Sequence, residues 1–306
     1  MPKYDVVGIG RPYADLLIPV PHMPRRDEVL PVEHIEQQGG GPVPTALVTL
    51  SRLGASAAIW GRVGDDPYGD FIIEDFRRYG VSTDFIEVCP GYRSPVSVIL
   101  VDGSTGTRAI LHCAGQIPAP GVADVRADVV QGCRVLHLSG SYMEAEIEAA
   151  RVAREAGVLV SVDGSAGARK ARVAELIAAA DVLVAARPFA EQETGQTDLH
   201  ACAAELLNRG PHTVVITTGA SGSYGWTLDG QTHHQPAFPV KVIDTTGAGD
   251  VYHGAFVYGL VRGWSLARNM AFATATAALK CTQVGGRAGI PALHEVEQFL
   301  VCRSRL

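Results

Sequence analysis

Residues 244–250 read DTTGAGD, and residues 251–256 continue as VYHGAF. Residues 240–243, VKVI, predict the end of a strand, and apolar residues at helical spacing from Gly249 to Leu260 predict a helix. The glycines therefore lie where a loop becomes a helix N-terminus, where free N–H groups and the helix dipole favour an anion. Asp250 adds a carboxylate in the first turn. This arrangement suits removal of a hydroxyl proton while phosphate charge is stabilised, and the alternative is a capped helix after a glycine-rich turn.

The same seven residues resemble the second signature of the ribokinase-like (PfkB) carbohydrate kinases almost letter for letter. The resemblance extends from about Val6 to the C-terminus. It implies that Asp250 is the base that deprotonates a sugar hydroxyl. It also implies that Gly247, Ala248 and Gly249 form the anion hole for the transferred γ-phosphoryl group.

Composition is typical of one globular domain. The chain has 306 residues, a hydrophobic content of 47% and a net charge of −6, so we expect a single domain over residues 1–306. No basic run is present, and nucleic acid is not an expected partner. None of the six cysteines forms a Cys-x-x-Cys pair, which argues against a zinc site or a disulfide framework. Because there is no signal pattern and no apolar run of membrane length, we expect a cytoplasmic protein without a membrane partner.

Short apolar segments alternate with Ala/Glu-rich helical segments along the chain. This alternation predicts a parallel sheet with right-handed crossovers. Together with the resemblance it predicts a three-layer α/β/α fold that has a mostly parallel central sheet and a small β-sheet lid. Ligands of such sheets collect at the carboxyl ends of the strands. Asp163 ends one predicted strand and is a candidate contact for the substrate.

Gly8 and Gly10 suggest a dinucleotide-binding fingerprint, but its third glycine is missing because Tyr13 stands at that position.

Two segments, about 11–38 and 94–112, are predicted to form the lid. The second contains two β-rich runs around a turn and predicts a hairpin. Arg108 lies in its return strand, where it either points into the site or is a solvated strand residue. The resemblance implies that the lid covers the sugar, and its edge strands suggest a homodimer formed through the lid.

The first signature of the family is carried by residues 39–54. The resemblance implies that Asp15 accepts hydrogen bonds from the sugar hydroxyls and that the backbone of Gly40 and Gly41 lines the sugar site. One departure concerns Pro44, which stands where the family usually has an asparagine that contacts the sugar. We therefore expect this sugar to be held differently.

The predicted strand 213–217 is followed by a loop that resembles the nucleotide loop of the family. Its matching positions are Thr217, Gly219 and Gly222, whose backbone is expected to contact the ribose and phosphates of ATP. The alternative is an ordinary hairpin turn. No Walker-type motif occurs in the sequence.

A second departure concerns the metal. Many relatives carry Asn-x-x-Glu to organise Mg²⁺, but the matching positions here are Ala186 and Phe189. We expect Mg²⁺ to be held by the phosphates and other groups, with Arg187 adding positive charge near ATP. Asp244 and Thr246, together with a glycine-rich loop near the C-terminus, are candidate ligands of a monovalent cation such as K⁺.

The combined prediction is an ATP-dependent kinase that phosphorylates a hydroxyl of a ketose-like sugar or a sugar acid. An acidic substrate would require arginines, and Arg108, Arg169 and Arg187 are available. The alternatives are a nucleoside kinase of the same fold, a non-catalytic sugar- or nucleotide-binding protein and an NAD-dependent enzyme. His253, three residues after Asp250, is expected only to pack.

Overall fold

The computed structural model describes residues 2–104, 107–165 and 171–303. Two sheets are present in these ranges, one with nine strands and one with four. The strands are β1 (Tyr4–Ile9), β2 (Tyr13–Val20), β3 (Glu36–Gly40), β4 (Ala57–Gly64), β5 (Ser82–Cys89), β6 (Val96–Asp102), β7 (Arg108–Cys113), β8 (Cys133–Leu138), β9 (Leu159–Gly164), β10 (Val182–Ala186), β11 (Thr213–Thr217), β12 (Ser223–Thr227) and β13 (Thr232–Gln235).

The helices follow the strands of the large sheet. They are α1 (Pro42–Arg52), α2 (Pro67–Arg78), α3 (Ala127–Gln131), α4 (Met143–Glu155), α5 (Val173–Ala179), α6 (Arg187–Thr194), α7 (Leu199–Leu207), α8 (Ala248–Val261), α9 (Leu266–Lys280) and α10 (Leu293–Arg303). None of the helices in the described ranges is both long and apolar enough to cross a bilayer.

The large sheet has the order β13-β12-β11-β10-β9-β8-β1-β4-β5. All pairs from β11 to β5 are parallel, and β12 and β13 add an antiparallel edge. Its buried strands are nearly continuous apolar runs because both faces are covered by helices. Neighbouring residues such as Val6 and Val7 consequently face two different hydrophobic clusters. These observations confirm the predicted three-layer arrangement.

The two clusters separate the helices into layers. One cluster is formed by side chains from α1, α2, α8, α9 and α10, and the other by side chains from α3 to α7. Helix α8 is buried on almost all sides. Gly254 permits this, because a Cβ atom there would lie only 2.7 Å from the Cβ of Thr49 on α1. The helix that begins at the glycine loop is thus held rigidly by its neighbours.

The small sheet has the order β3-β2-β6-β7. Strand β2 pairs antiparallel with β3 and parallel with β6, and β7 closes the predicted hairpin with β6. The strands fall within or beside the two segments predicted for the lid. Between residues 21 and 35 the structure has no strand, so the first segment contributes to the sheet through its two ends, β2 and β3.

The predicted strand end at 240–243 is wrong. These residues form no strand, and the N–H groups of Ile243 and Asp244 donate to the carbonyl oxygen of Cys281 at 2.8 and 3.3 Å. The side chains of Val242 and Ile243 are 58% and 46% exposed. Residues 240–243 have the composition of a strand, but the Ile243 N–H donates to the loop after α9 and not to a neighbouring strand.

Candidate active site

The glycine loop forms the N-terminus of α8, as the sequence predicted. Gly247 is the residue before the helix and has φ 72°, a left-handed conformation that glycine adopts without strain. The Ala248 N–H donates to the Thr245 carbonyl at 3.1 Å. At Gly249 an added Cβ would meet no atom within 4 Å, so this turn faces open space. Its N–H groups are available to an anion that enters this space.

Asp250 lies in the first turn of α8 and is half-buried. Burial raises its pKa to about 6, and the negative charges of Asp163 and Asp15 act in the same direction. The positive charges of His253 and Arg287 lower it. A carboxylate whose pKa lies near neutrality is a suitable general base, because it is ionised at working pH and still holds a proton well.

Asp163 lies near the carboxyl end of β9, where the sequence predicted it, and its carboxylate is held by protein groups. Its side chain is fully buried, and its Oδ1 accepts hydrogen bonds from His253 Nε2 at 3.1 Å and from Ser165 Oγ. Burial alone would raise the pKa of Asp163, but the charge and hydrogen bond of His253 lower it to about 2. Asp163 thus forms a buried ion pair with His253, so His253 does more than pack, and contact between Asp163 and a substrate stays a prediction.

Asp15 on β2 lies directly against Gly40 of the first signature. A Cβ atom on Gly40 would overlap the Asp15 carboxylate, so the backbone and the carboxylate are in direct contact. Gly41 has φ 101° and begins α1, where an added Cβ would lie 2.6 Å from the Arg11 carbonyl oxygen. Burial raises the pKa of Asp15. The predicted sugar-binding residues thus form one surface.

Arg287 supports this surface and was missed by the sequence analysis. It is only 2% exposed. Its Nη1 donates to Asp75 Oδ2 at 2.5 Å and its Nη2 to the Gly40 carbonyl at 3.3 Å. Arg287 lies in the glycine-rich loop near the C-terminus, and its partners lie more than 200 positions earlier in the chain.

The side chain of Arg108 extends from β7 of the small sheet to Thr245 in the glycine loop, which is also the proposed catalytic loop. Its Nη1 donates to Thr245 Oγ1 at 3.2 Å. Of the two alternatives for Arg108, the structure therefore favours the one in which its side chain points into the site. Arg169, the second arginine considered for an acidic substrate, lies outside the described residues.

A cavity of about 510 Å³ adjoins the glycine loop. The predicted nucleotide residues Thr217, Gly219 and Gly222 line one side of it, and Ala248 and Gly249 line the end nearest Asp250. The remaining walls are mainly apolar and include Phe238, Pro239, Val240, Ala277, Ala278 and Cys281. The cavity thus connects an apolar region, which is suited to a nucleobase, with the turn whose N–H groups could bind an anion.

Arg187 begins α6 at the carboxyl end of β10, and its Nε donates to Glu191 Oε1 at 2.7 Å. Phe189 packs against Gly164, where an added Cβ would lie 2.9 Å from its ring. Among the described residues no group of three His, Cys, Asp or Glu side chains could hold a metal ion. Within the described ranges, side chains alone therefore do not form a metal cage, and Mg²⁺ usually relies on substrate phosphates and water besides one or two carboxylates.

The candidate site for a monovalent cation is filled by protein groups. Asp244 Oδ1 accepts from the N–H and hydroxyl of Thr246 at 2.8 and 2.7 Å, and Oδ2 accepts from the Gly285 N–H at 2.8 Å. The Asp244 carbonyl accepts from the Lys280 ammonium at 2.9 Å. Lys280 is fully buried, so a cation already lies beside Asp244.

Comparison with known proteins identifies the family and the fold. The family described as pfkB family carbohydrate kinase matches residues 4–293. The chain is similar to a 5-dehydro-2-deoxygluconokinase of Clostridium perfringens, with 25% identity over 97% of this chain and 93% of the relative. It is also similar to a deoxyribokinase of Salmonella typhi, with 26% identity over 97% and 98% of the two chains.

A solved structure of Arabidopsis thaliana ribokinase, complexed with ribose and ATP, has the same fold. It superposes with a TM-score of 0.83 at 22% identity and covers 97% of this chain and 98% of that chain. The ribokinase-like fold predicted from the sequence is therefore confirmed.

Proposed function

The chain belongs to the pfkB family of carbohydrate kinases, and on this basis we propose that it transfers the γ-phosphoryl group of ATP to a hydroxyl of a sugar. The observation that carries the proposal is the position of Asp250. Its carboxylate has a pKa raised to about 6 and lies in the first turn of α8, beside the free N–H groups of the glycine loop.

In the proposed reaction Asp250 removes the proton of the acceptor hydroxyl as the oxygen attacks the γ-phosphorus. The bond from the γ-phosphorus to the bridging oxygen breaks, and ADP leaves. N–H groups of Gly247 and Gly249 stabilise the charge on the equatorial oxygens, and the Ala248 N–H, which donates to the Thr245 carbonyl, joins them only if it leaves that bond. General-base catalysis contributes about 10²–10⁴-fold, or roughly 3–5 kcal/mol of barrier.

We place the sugar between Asp15, the Gly40–Gly41 backbone and the small sheet. Direct contact between Gly40 and the Asp15 carboxylate supports this placement. The hydrogen bond from Arg108 to Thr245 links the small sheet to the catalytic loop, which is the contact expected of a lid that closes over the sugar and excludes water.

We place ATP in the cavity beside the glycine loop. Its base would contact the alanine-lined wall of α9, and its phosphates would pass Gly219 and Gly222 towards Gly249. Mg²⁺ bound with ATP would supply charge neutralisation between the phosphates. Arg187 stands at the carboxyl edge of β10 and is positioned to add positive charge there.

Activation by K⁺, suggested by the sequence at Asp244 and Thr246, is not favoured by this geometry. The carboxylate of Asp244 is engaged by three protein donors, and the Lys280 ammonium binds its carbonyl. We therefore propose turnover that does not depend on K⁺. Equal rates in potassium and choline chloride would support this proposal, and activation by potassium would refute it.

The acceptor is proposed as a small ketose-like sugar or sugar acid. The two relatives are named for a 2-deoxy sugar acid and a deoxyribose, so 2-deoxy sugars belong with this group. Pro44 offers no polar side chain at the edge of the site and is buried in α1. It is thus compatible with an acceptor that has one hydroxyl fewer, and Arg108 is available to a carboxylate.

The test is ADP release from Mg-ATP with a panel of ketoses, pentoses, 2-deoxy sugars, sugar acids and nucleosides. Wild type is measured beside Asp250→Asn. Turnover with one sugar class that is lost in the variant supports the proposal. Turnover with nucleosides alone would support the nucleoside kinase, and ligand-dependent thermal stabilisation without any turnover would support a non-catalytic binding protein.

We also propose that residues 1–306 act as one domain and that the lid strands mediate a homodimer. Strand β7 pairs only with β6 within the described residues, and its Ile110 and Leu111 are 52% and 63% exposed. An open strand with apolar side chains is suited to pairing with a second copy. Light scattering of wild type and Leu111→Lys tests this, because the variant should shift the protein to monomer. A wild type that is already a monomer would refute it.

A further inference from the structure

A buried lysine is bound to the start of the glycine loop, and the proposed reaction does not use it. Lys280 is the last residue of α9 and is fully buried. Its Nζ donates to the Asp244 carbonyl oxygen at 2.9 Å, and among the described residues it forms no ion pair with a carboxylate. Because a buried ammonium that lacks an ion pair is costly, stability alone does not account for Lys280.

Asp244 is the residue through which the glycine loop is held in place. Its N–H donates to the Cys281 carbonyl oxygen at 3.3 Å. Its carboxylate accepts from the N–H groups of Thr246 and Gly285, both at 2.8 Å. Since Lys280 binds the remaining carbonyl oxygen, every polar group of Asp244 has a protein partner. The position of Asp244 is therefore set by the end of α9 and the loop that follows it.

The loop after Lys280 also contacts the anion-binding turn itself. A Cβ atom on Gly247 would lie 2.9 Å from the Gly286 carbonyl oxygen, so the two backbones are in close contact. From the small sheet, Arg108 donates to Thr245 Oγ1 at 3.2 Å. Residues 244–247 are thus held from two sides. N–H groups that are fixed in this way before an anion arrives stabilise its charge without reorganisation.

The chemistry of the lysine side chain suits this task. An ammonium is a compact charge with N–H donors, and its hydrogen bond to a carbonyl is stronger than that of a neutral donor. Burial lowers the pKa of Lys280 and the charge of Asp244 raises it. Starting from 10.5, the amine stays charged near pH ~7 unless its pKa falls below about 7. K⁺ has the same charge and also binds carbonyl oxygens.

We propose that Lys280 is a positioning residue whose ammonium, in place of a bound monovalent cation, fixes the Asp244 carbonyl and thereby the anion-binding turn at residues 247–249. The effect of Lys280 on turnover rests on the proposed function of that turn in phosphoryl transfer. Binding of a small cation by a variant that lacks the ammonium does not rest on it, and it can be measured without turnover.

The experiment compares wild type, Lys280→Ala and Lys280→Met in potassium, ammonium and choline chloride at equal ionic strength. Alanine removes the charge and most of the stem, which leaves space for a small cation beside the Asp244 carbonyl. Methionine is unbranched and fills most of that space without a charge. Lys3→Ala is the matched control, because Lys3 is 64% exposed and lies just before β1. The unfolding temperature, kcat and KM are measured in each salt.

Lys280→Ala should lower kcat about 10²-fold in choline chloride, because the N–H groups of the turn lose their alignment. Potassium or ammonium should restore kcat at least about tenfold and should raise the unfolding temperature of this variant above its value in choline. Lys280→Met should be impaired in all three salts. Wild type and Lys3→Ala should respond equally to the three salts. A merely structural lysine predicts a loss of stability that no cation reverses.

Two results would overturn the proposal. One is a Lys280→Met variant with the kcat of wild type, and the other is a folded Lys280→Ala variant that responds to potassium and ammonium no more than to choline. If Lys280→Ala folds in none of the salts, kcat of Lys280→Met well below its unfolding temperature decides the matter, and a loss of about tenfold or more supports the proposal. If wild type turns over no acceptor, the proposed function fails, while the unfolding temperatures of Lys280→Ala still test the role of Lys280.

Discussion

Replacement of the proposed base should stabilise the free protein at neutral and higher pH. Asp250→Asn removes a carboxylate whose ionisation is opposed by burial and by neighbouring carboxylates. The asparagine amide that replaces it has nearly the same size. The pKa of Asp250 is raised from 3.8 to about 6 by burial and by the neighbouring carboxylates. Ionised Asp250 is thus a source of instability that the enzyme retains for its chemistry.

The magnitude follows from linkage between folding and protonation. A group with a raised folded pKa contributes stability below its unfolded value, here 3.8, and this contribution is lost as the pH rises through about 6. At 1.36 kcal/mol per unit of pKa, the loss is about 1.6 kcal/mol near pH ~5 and about 3 kcal/mol near pH ~8. Asp250 keeps some contact with solvent, so these values are upper limits.

The assay is thermal or denaturant unfolding of wild type and Asp250→Asn across this range of pH. A difference of about 3 kcal/mol corresponds to roughly 5 °C for a chain of this length. The gap should widen from about pH 5 to about pH 8 and then remain constant. Asp27→Asn is the matched control, because Asp27 is 93% exposed with φ 61°, a conformation that asparagine also adopts. A variant that is less stable than wild type at about pH 8, or a gap that does not depend on pH, would refute the reasoning.

Three further predictions concern the two substrate sites. Ala278→Phe should fill part of the ATP cavity and raise the KM for ATP about tenfold, since overpacking costs about 1–3 kcal/mol. An unchanged KM in initial-rate assays would contradict this placement of the adenine ring. Gly40→Ala should displace the Asp15 carboxylate, which its Cβ would overlap, and lower kcat/KM for the acceptor about 10²-fold while thermal shift by ATP is preserved. Arg108→Ala should lose the bond to Thr245 and lower kcat/KM for the acceptor up to about tenfold, with a larger loss for a carboxylated acceptor than for a neutral one in parallel assays.

The part of the site that depends on local chain geometry could be predicted from the sequence. The glycines around Ala248 and the apolar periodicity after them identify both the turn and the helix that it begins. The hairpin of β6 and β7 is likewise visible, because its two runs are short, β-branched and separated by turn residues. These features are decided by neighbours along the chain, so a single sequence contains them.

The part that depends on distant partners could not be predicted. Arg287 lies in a glycine-rich loop that resembles many others, and its role follows from Asp75 and Gly40, which come from different parts of the chain. His253 stands on the face of α8 that meets β9, but only the structure shows that Asp163 ends there. The run 240–243 has the composition of a strand, and only its bonds to Cys281 show that it lies outside the sheet.

The buried charges around the glycine loop also bear on which positive charge accompanies the phosphates of ATP. Lys280 binds the Asp244 carbonyl, Arg287 binds Asp75, and His253 binds Asp163. Each of these cations is thus bound to a partner of its own, and the carboxylates of Asp163 and Asp15 add negative charge near Asp250. Because the loop itself offers N–H dipoles, and Arg108 and Arg187 are the cations proposed near it, we expect the Mg²⁺ that accompanies ATP to balance much of the triphosphate charge. Such a site favours the metal complex of ATP over free ATP, and it leaves the carboxylate of Asp250 unpaired and able to accept a proton.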